Sequence, residues 1–144
     1  MGKESLTVRL EGLERLPASA RRATLIRRAC RLALPGRRGE LGVRFTTRGG
    51  MLKLNRQFLG HDYDTDVIAF PYDAPPGVPS AEIGDVCVSA FLARRQAAEQ
   101  GHPVLTEILT LVLHGCLHLA GLDDSTPRQQ AAMFKRQDTL LKRL

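Results

Sequence analysis

Tryptophan is absent from this chain, and five Phe and two Tyr are its only aromatic residues. So few rings offer few stacking platforms, which weighs against a surface that reads bases by stacking. Cysteine is scarce too: Cys30, Cys87 and Cys116 are odd in number, widely spaced, and each set among apolar neighbours. That pattern excludes a disulfide framework and reads as reduced core thiols in a cytoplasmic protein. No stretch approaches the roughly eighteen consecutive apolar residues of a membrane span. The opening MGKESLTVRLEG is charged and broken, with no apolar run for a signal peptide. Acidic residues are scarce in the first third alone. Residues 1–50 hold four Asp or Glu against twelve Lys or Arg, a net of +8, while residues 51–100 carry −3 and the rest +1.

What is present describes an ordinary folded chain. At 144 residues, 43% hydrophobic and 25% charged, the sequence suits one domain over 1–144 with one core. SLTVRL (5–10) alternates like a strand, and LGVRFTT (41–47) reads as a second. Between them PASARRATLIRRACRLAL (17–34) repeats Ala23, Ile26, Cys30 and Ala33 at helical spacing, with Arg21, Arg22, Arg27, Arg28 and Arg31 on the other face. MLKLNRQFL (51–59) is helical by Met51, Leu54 and Phe58. DVIAF (66–70) is a short apolar run expected to be buried on both faces, and PYDAPPGVPS (71–80), with four prolines, an exposed loop. EIGDVCVS (82–89) is a fourth strand, AFLARRQAAEQ (90–100) a helix closed by Gly101, and TPRQQAAMFKRQDTLLKRL (126–144) a last amphipathic helix. The expected fold is α+β: a four-stranded, mostly parallel mixed sheet backed by helices, with a metal site at the end of a central helix.

That site is read from HGCLHLAGLDD (114–124). Pro103 suits the start of a helix whose broad apolar stripe runs through Leu105, Ile108, Leu109, Val112, Cys116 and Leu119. His114 and His118 fall one turn apart on it, with β-carbons about 5–6 Å apart on one face, so both imidazoles can meet one ion. Gly121 can adopt the left-handed conformation that ends a helix and turns the chain back, which sets Asp124 as a third, oxygen ligand and Asp123 as the neighbouring choice. A lone histidine on an apolar helix is more often a satisfied core residue; two at this spacing, a stopping glycine and a carboxylate reverse that balance. Three protein ligands leave an open position, the mark of a catalytic metal, whose water ionises near neutral pH. The metalloprotease pattern H-E-x-x-H needs glutamate where this chain has Gly115, so peptide hydrolysis by that route is disfavoured. Asp66 and Asp85 read as caps of backbone amides before catalytic carboxylates, His61 as a loop residue near the cleft, His102 as a surface residue at a helix start, and Glu107 as a surface glutamate before a partner of an imidazole.

HGCLHLAGLDD resembles the H-G-x-L-H-L-x-G-x-D-H signature of the YbeY family of metal-dependent endoribonucleases. LNRQFLGHDYDTDVIAFPY (54–72) and IGDVCVS (83–89) are similar to two further blocks of that family, in the same order. The resemblance implies a small mixed sheet backed by helices, zinc held by His114, His118 and Asp124, and cleavage of single-stranded RNA. Its expected substrate is the small-subunit rRNA precursor, matured at the 16S 3′ end, with the ribosome or a ribosome-associated GTPase as partner. Three positions depart from the family pattern. Asp124 stands for its third histidine, which hardens the site and leaves other divalent metals open. Leu59 stands for an arginine that Arg56 could partly replace, and Ala69 stands for a serine.

The arginine-rich first third is either a solvated face or a phosphate-binding surface. On the RNA reading, Arg27, Arg28, Arg31, Arg44 and Arg56 hold the strand, and helix 17–34 with strand 41–47 borders the metal groove. The rival is a non-catalytic rRNA-binding assembly factor with a structural metal, and a third reading is a metal hydrolase of another substrate.

Overall fold

The computed structural model describes residues 6–77 and 81–144; Ser5 of the first expected strand and residues 78–80 of the proline-rich loop lie outside them. Four strands form one sheet in the order β1-β2-β4-β3, from β1 (Leu6–Glu11), β2 (Gly39–Thr46), β3 (Val67–Pro71) and β4 (Glu82–Ser89). β1, β2 and β4 run parallel, and β3 pairs antiparallel to β4, with Val67 opposite Val88 and Pro71 opposite Gly84. The parallel pairs need crossovers, which α1 (Ala23–Ala33) supplies between β1 and β2. The mixed α+β architecture expected from the sequence is the one observed.

The details differ from the sequence reading at three places. Residues 17–34 are not one helix: a single 3-10 turn at Ala18–Ala20 precedes α1. Arg21 sits between them with ψ 60, its Nε donating to the Leu16 carbonyl at 2.8 Å, so the chain is tied down before it winds. Helix α2 (Arg48–Leu54) starts three residues early because Thr47 Oγ1 accepts from the Gly50 amide, a cap hidden by Gly49 and Gly50 in the periodicity. It then widens into a π turn at Asn55–Leu59. Buried Asn55 stitches this turn to the next loop, donating to the Tyr63 carbonyl at 2.7 Å and to Thr65 Oγ1 at 2.9 Å. Finally, β3 is an edge strand, and only Ile68 of its five residues is buried. The apolar run of 66–70 marked contact with the sheet, not cover on both faces. An edge also explains how Pro71 is tolerated in a strand.

Helix α4 (Val104–Leu119) is the centre of the helical layer, packing against α1, α3 (Ala90–Gln100), α5 (Pro127–Leu141) and the β3–β4 pair. Ile108, Val112, Leu113 and Cys116 are fully buried there, against Ile26, Ala29 and Cys30 of α1 and Leu41, Val43 and Val88 of the sheet. All three cysteines are free and buried. Burial pushes the Cys87 thiol up to about 11, and a hydrogen bond with Cys30 plus burial pushes Cys116 well above its ordinary value. Among the described residues no single helix is long and apolar enough to cross a membrane.

Candidate metal centre

Gly115 determines how closely α4 can lie on the sheet. A β-carbon there would stand 2.6 Å from Val86 Cγ1 and 3.2 Å from Val67 Cγ2, so only glycine lets the helix meet β4 and β3 at this depth. The neighbouring His114 and the residue one turn on, His118, are thereby held at the β3 side of the helical layer, each partly exposed.

The helix ends where the sequence predicts. Gly121 takes φ 102; its amide donates to the His118 carbonyl and the Leu122 amide to the Leu117 carbonyl, both at 3.0 Å. This is the paired closure of a Schellman turn, which glycine permits at no steric cost. The turn brings Asp124 back to the histidines. Its Oδ2 lies 3.2 Å from His114 Nε2 and 3.4 Å from His118 Nε2, while the two Nε2 atoms are 3.0 Å apart. These three residues form the one group among the described residues with metal-holding geometry. Asp123, the neighbouring choice, is exposed, and its Oδ1 accepts the Asp124 amide.

Whether a metal fits follows from the protons. His118 Nδ1 lies 3.0 Å from the Leu122 carbonyl, which can only accept, so Nδ1 carries the hydrogen. His114 Nδ1 is bonded in the same sense to Gln137 Oε1. Both Nε2 atoms therefore present lone pairs, toward each other and toward a carboxylate oxygen. Three acceptors within 3.0–3.4 Å repel unless a cation lies between them, and a proton could relieve only one edge. Ligand atoms about 2.0–2.1 Å from one tetrahedral zinc stand roughly 3.3–3.4 Å apart, close to the observed triangle. The residues fit a divalent ion.

Gln137 is the site residue that sequence reading missed. It is 5% exposed on α5, between buried Met133 and Leu140. A polar residue interrupting that apolar stripe was the available signal. Glu107, expected on the surface, is 5% exposed; it accepts from His102 Nε2 at 2.7 Å and does not touch His114. His102 is accordingly half-buried. His61 stays in its loop, its ring stacked on Tyr63 at 4.9 Å and Nδ1 bonded to the Tyr63 hydroxyl. Asp66 accepts from Gln96 Nε2 at 3.2 Å rather than from a backbone amide, and Asp85 is exposed on β4.

Each of the five arginines has a partner within the protein. Arg27 and Arg31 donate to the Val8 and Leu6 carbonyls of edge strand β1, each at 3.1 Å, and Arg28 to the Arg143 carbonyl. Strands are about 4.8 Å apart, so the β1 edge lies roughly 14 Å across the sheet from β3. Arg44 pairs with Glu11 at 3.1 Å and Arg56 with Asp62 at 2.5 Å. Neither helix α1 nor β2 borders the groove that reaches His114, which lies between α3, α4 and α5. Edge carbonyls need donors, and Arg27 and Arg31 on the adjacent helix supply them. Leu59 is 44% exposed. Arg48 and Asp64 form a bidentate ion pair of their own, closed at 2.8–3.1 Å. Hydrogen bonding from Arg48 holds the Asp64 carboxyl below its ordinary range.

Comparison with known proteins agrees with the motif. A family model described as Endoribonuclease YbeY matches residues 13–144. The Endoribonuclease YbeY of Elusimicrobium minutum is 38% identical over 123 residues, 83% of this chain and 86% of that protein. That of Chromohalobacter salexigens is 40% identical over 104 residues, 72% of this chain and 68% of the relative. The solution structure of TM1509 from Thermotoga maritima, 24% identical, shares the fold with TM-score 0.64 over 94% of this chain and 87% of its own. With a match that takes in every strand but β1 and every helix, α4 and its turn included, the chain belongs to the YbeY family.

Proposed function

We propose that this protein is a metal-dependent endoribonuclease that cuts single-stranded RNA. One observation carries the reading: His114 Nε2, His118 Nε2 and Asp124 Oδ2 converge as three bare acceptors within 3.4 Å, with both Nδ1–H groups committed elsewhere. The names of the relatives supply the reaction class. His114, His118 and Asp124 would hold the ion, zinc by its suitability for two imidazoles and a carboxylate. A bound ion there supplies Lewis acidity and a water that ionises near neutral pH. Gln137 and the Leu122 carbonyl fix both rings in the ligating tautomer. Side-chain exposures of 21% for His114, 29% for His118 and 36% for Asp124 leave the triangle reachable from solvent, as a substrate phosphate requires.

Resemblance extends the proposal to the small-subunit rRNA precursor, acting in the cytoplasm with the ribosome or its GTPases as partners. Arg27, Arg28, Arg31, Arg44 and Arg56 remain the proposed strand-holding residues, each needing to exchange a protein partner for phosphate. A second reading, a non-catalytic rRNA-binding assembly factor with a structural metal, draws on that same engagement and on Leu59. The deciding experiment is cleavage of a single-stranded RNA by the zinc-loaded protein, with and without chelator, beside His114→Ala. Cleavage lost on chelation and in the variant supports the nuclease. No cleavage by the fully loaded protein at any pH leaves the assembly factor.

A further inference from the structure

The groove that reaches His114 has a volume of about 960 Å³ and runs between α3, α4 and α5, within the range of ligand sites. Its charge is the opposite of what a phosphate cradle requires. Asp66, Glu99, Glu107 and Asp138 line it against Lys135 as the one Lys or Arg. Glu99 and Asp138 are paired along their own helices, with Arg95 at 3.3 Å and Lys142 at 3.1 Å. The groove's acids without a Lys or Arg partner among the described residues are Asp66 and Glu107, and these disfavour a phosphodiester backbone there.

What such a lining accepts is an uncharged group rich in hydrogen-bond donors. Glu107 supplies the fixed element. Its side chain is 6% exposed and lines the groove, and His102 Nε2 donates to Oε1 at 2.7 Å. Glu107 and His114 are seven residues apart on α4, about 10 Å along the axis. Val67, Leu111 and Leu141 give the groove an apolar wall, and the Phe134 ring, 64% exposed, lies along it as a stacking surface. A flat, apolar-faced ring with donors on one edge fits both features.

We propose that this groove is a base-specificity subsite that takes a guanine splayed from the strand whose phosphate sits at the triad. The assignment rests on the endoribonuclease reading for its role, although not for its chemistry. Unstacked bases are read by their Watson–Crick edges and by stacking on aromatic rings. Guanine presents N1–H and N2–H₂ side by side, the pattern a carboxylate accepts from. Uracil places carbonyl oxygens on both sides of its single donor, so those oxygens would face the carboxylates. A site with buried polar groups rejects a ligand that leaves them unpaired.

The test uses the zinc-loaded full chain, titrated with guanosine and with uridine by NMR, beside Glu107→Gln and Phe134→Ala. Guanosine should bind on the order of tenfold more tightly than uridine. Glu107→Gln, which keeps an oxygen for His102, should abolish that preference at unchanged thermal stability. Phe134→Ala, an exposed truncation, should weaken both nucleosides alike. Equal binding of the two, no shift for either at millimolar concentration, or a preference that survives Glu107→Gln overturns the proposal. Single-stranded RNAs differing at one base are cut in parallel. Guanosine binding without RNA cleavage sustains the subsite and defeats the nuclease reading; cleavage without nucleoside binding does the reverse.

Discussion

Replacing Gln137 by leucine removes the acceptor that fixes His114 and leaves His114, His118 and Asp124 themselves in place. The ring would lose its reason to keep the proton on Nδ1 and its hold on orientation. Partners of this kind are worth about 10–100-fold in metal affinity, or roughly 1.4–2.7 kcal/mol. Because Gln137 is 5% exposed, the orphaned Nδ1–H also stays out of water, at a cost of about 1–3 kcal/mol to the folded state. Leucine is apolar and of similar length, so part of that loss is offset by packing against Met133 and Leu140. Competition with a chromophoric chelator for zinc measures the first effect, and thermal unfolding of the metal-free protein the second. Gln137→Glu keeps an acceptor and adds a charge, so it should bind zinc at least as well as the unmodified protein. A leucine variant within threefold of the unmodified affinity would refute the role given to Gln137, because the rings would then be held without it.

Three further outcomes follow from contacts described above. Gly115→Ala gains about 1 kcal/mol of helix propensity but forces a methyl against Val86 and Val67, costing about 1–3 kcal/mol; thermal unfolding should show a net loss, and a gain would mean that α4 does not lie so close. Changing Arg27 and Arg31 together to methionine frees the β1 carbonyls and should lower stability, while the salt dependence of single-stranded RNA binding shows whether they also meet phosphate: a slope reduced by about 0.7 for each contact marks them as ligands of the strand. Asp64 has a depressed folded-state pKa, so its pair with Arg48 contributes stability above the unfolded value near 3.8 that is lost as pH falls through the lower folded one. Asp64→Asn should therefore flatten the acid limb of the stability profile below about pH 4 and leave the neutral plateau nearly unchanged in slope; an acid limb identical to that of the unmodified protein would remove the pair from the account.

The local chemistry was legible in the residues alone. Two histidines one turn apart, a glycine that ends the helix and an aspartate three residues on mark out the candidate metal centre through helical pitch and turn geometry alone. The same local rules located all four strands and the helices from α3 onward. What they could not supply was anything settled by a distant neighbour. Nothing in residues 66–70 tells whether a strand lies on one side or both, because sheet order is fixed by which pairs bury the most area together. The positive charge of residues 1–50 was visible, but its destination was not: backbone carbonyls on the β1 edge claimed Arg27 and Arg31 once α1 crossed over them. Gln137 and Glu107 show the same limit from the other direction. Each is a polar residue on an amphipathic helix, and only the packing of α5 and of the α3–α4 turn against α4 turned one into the anchor of His114 and the other into a buried carboxylate facing an acidic groove.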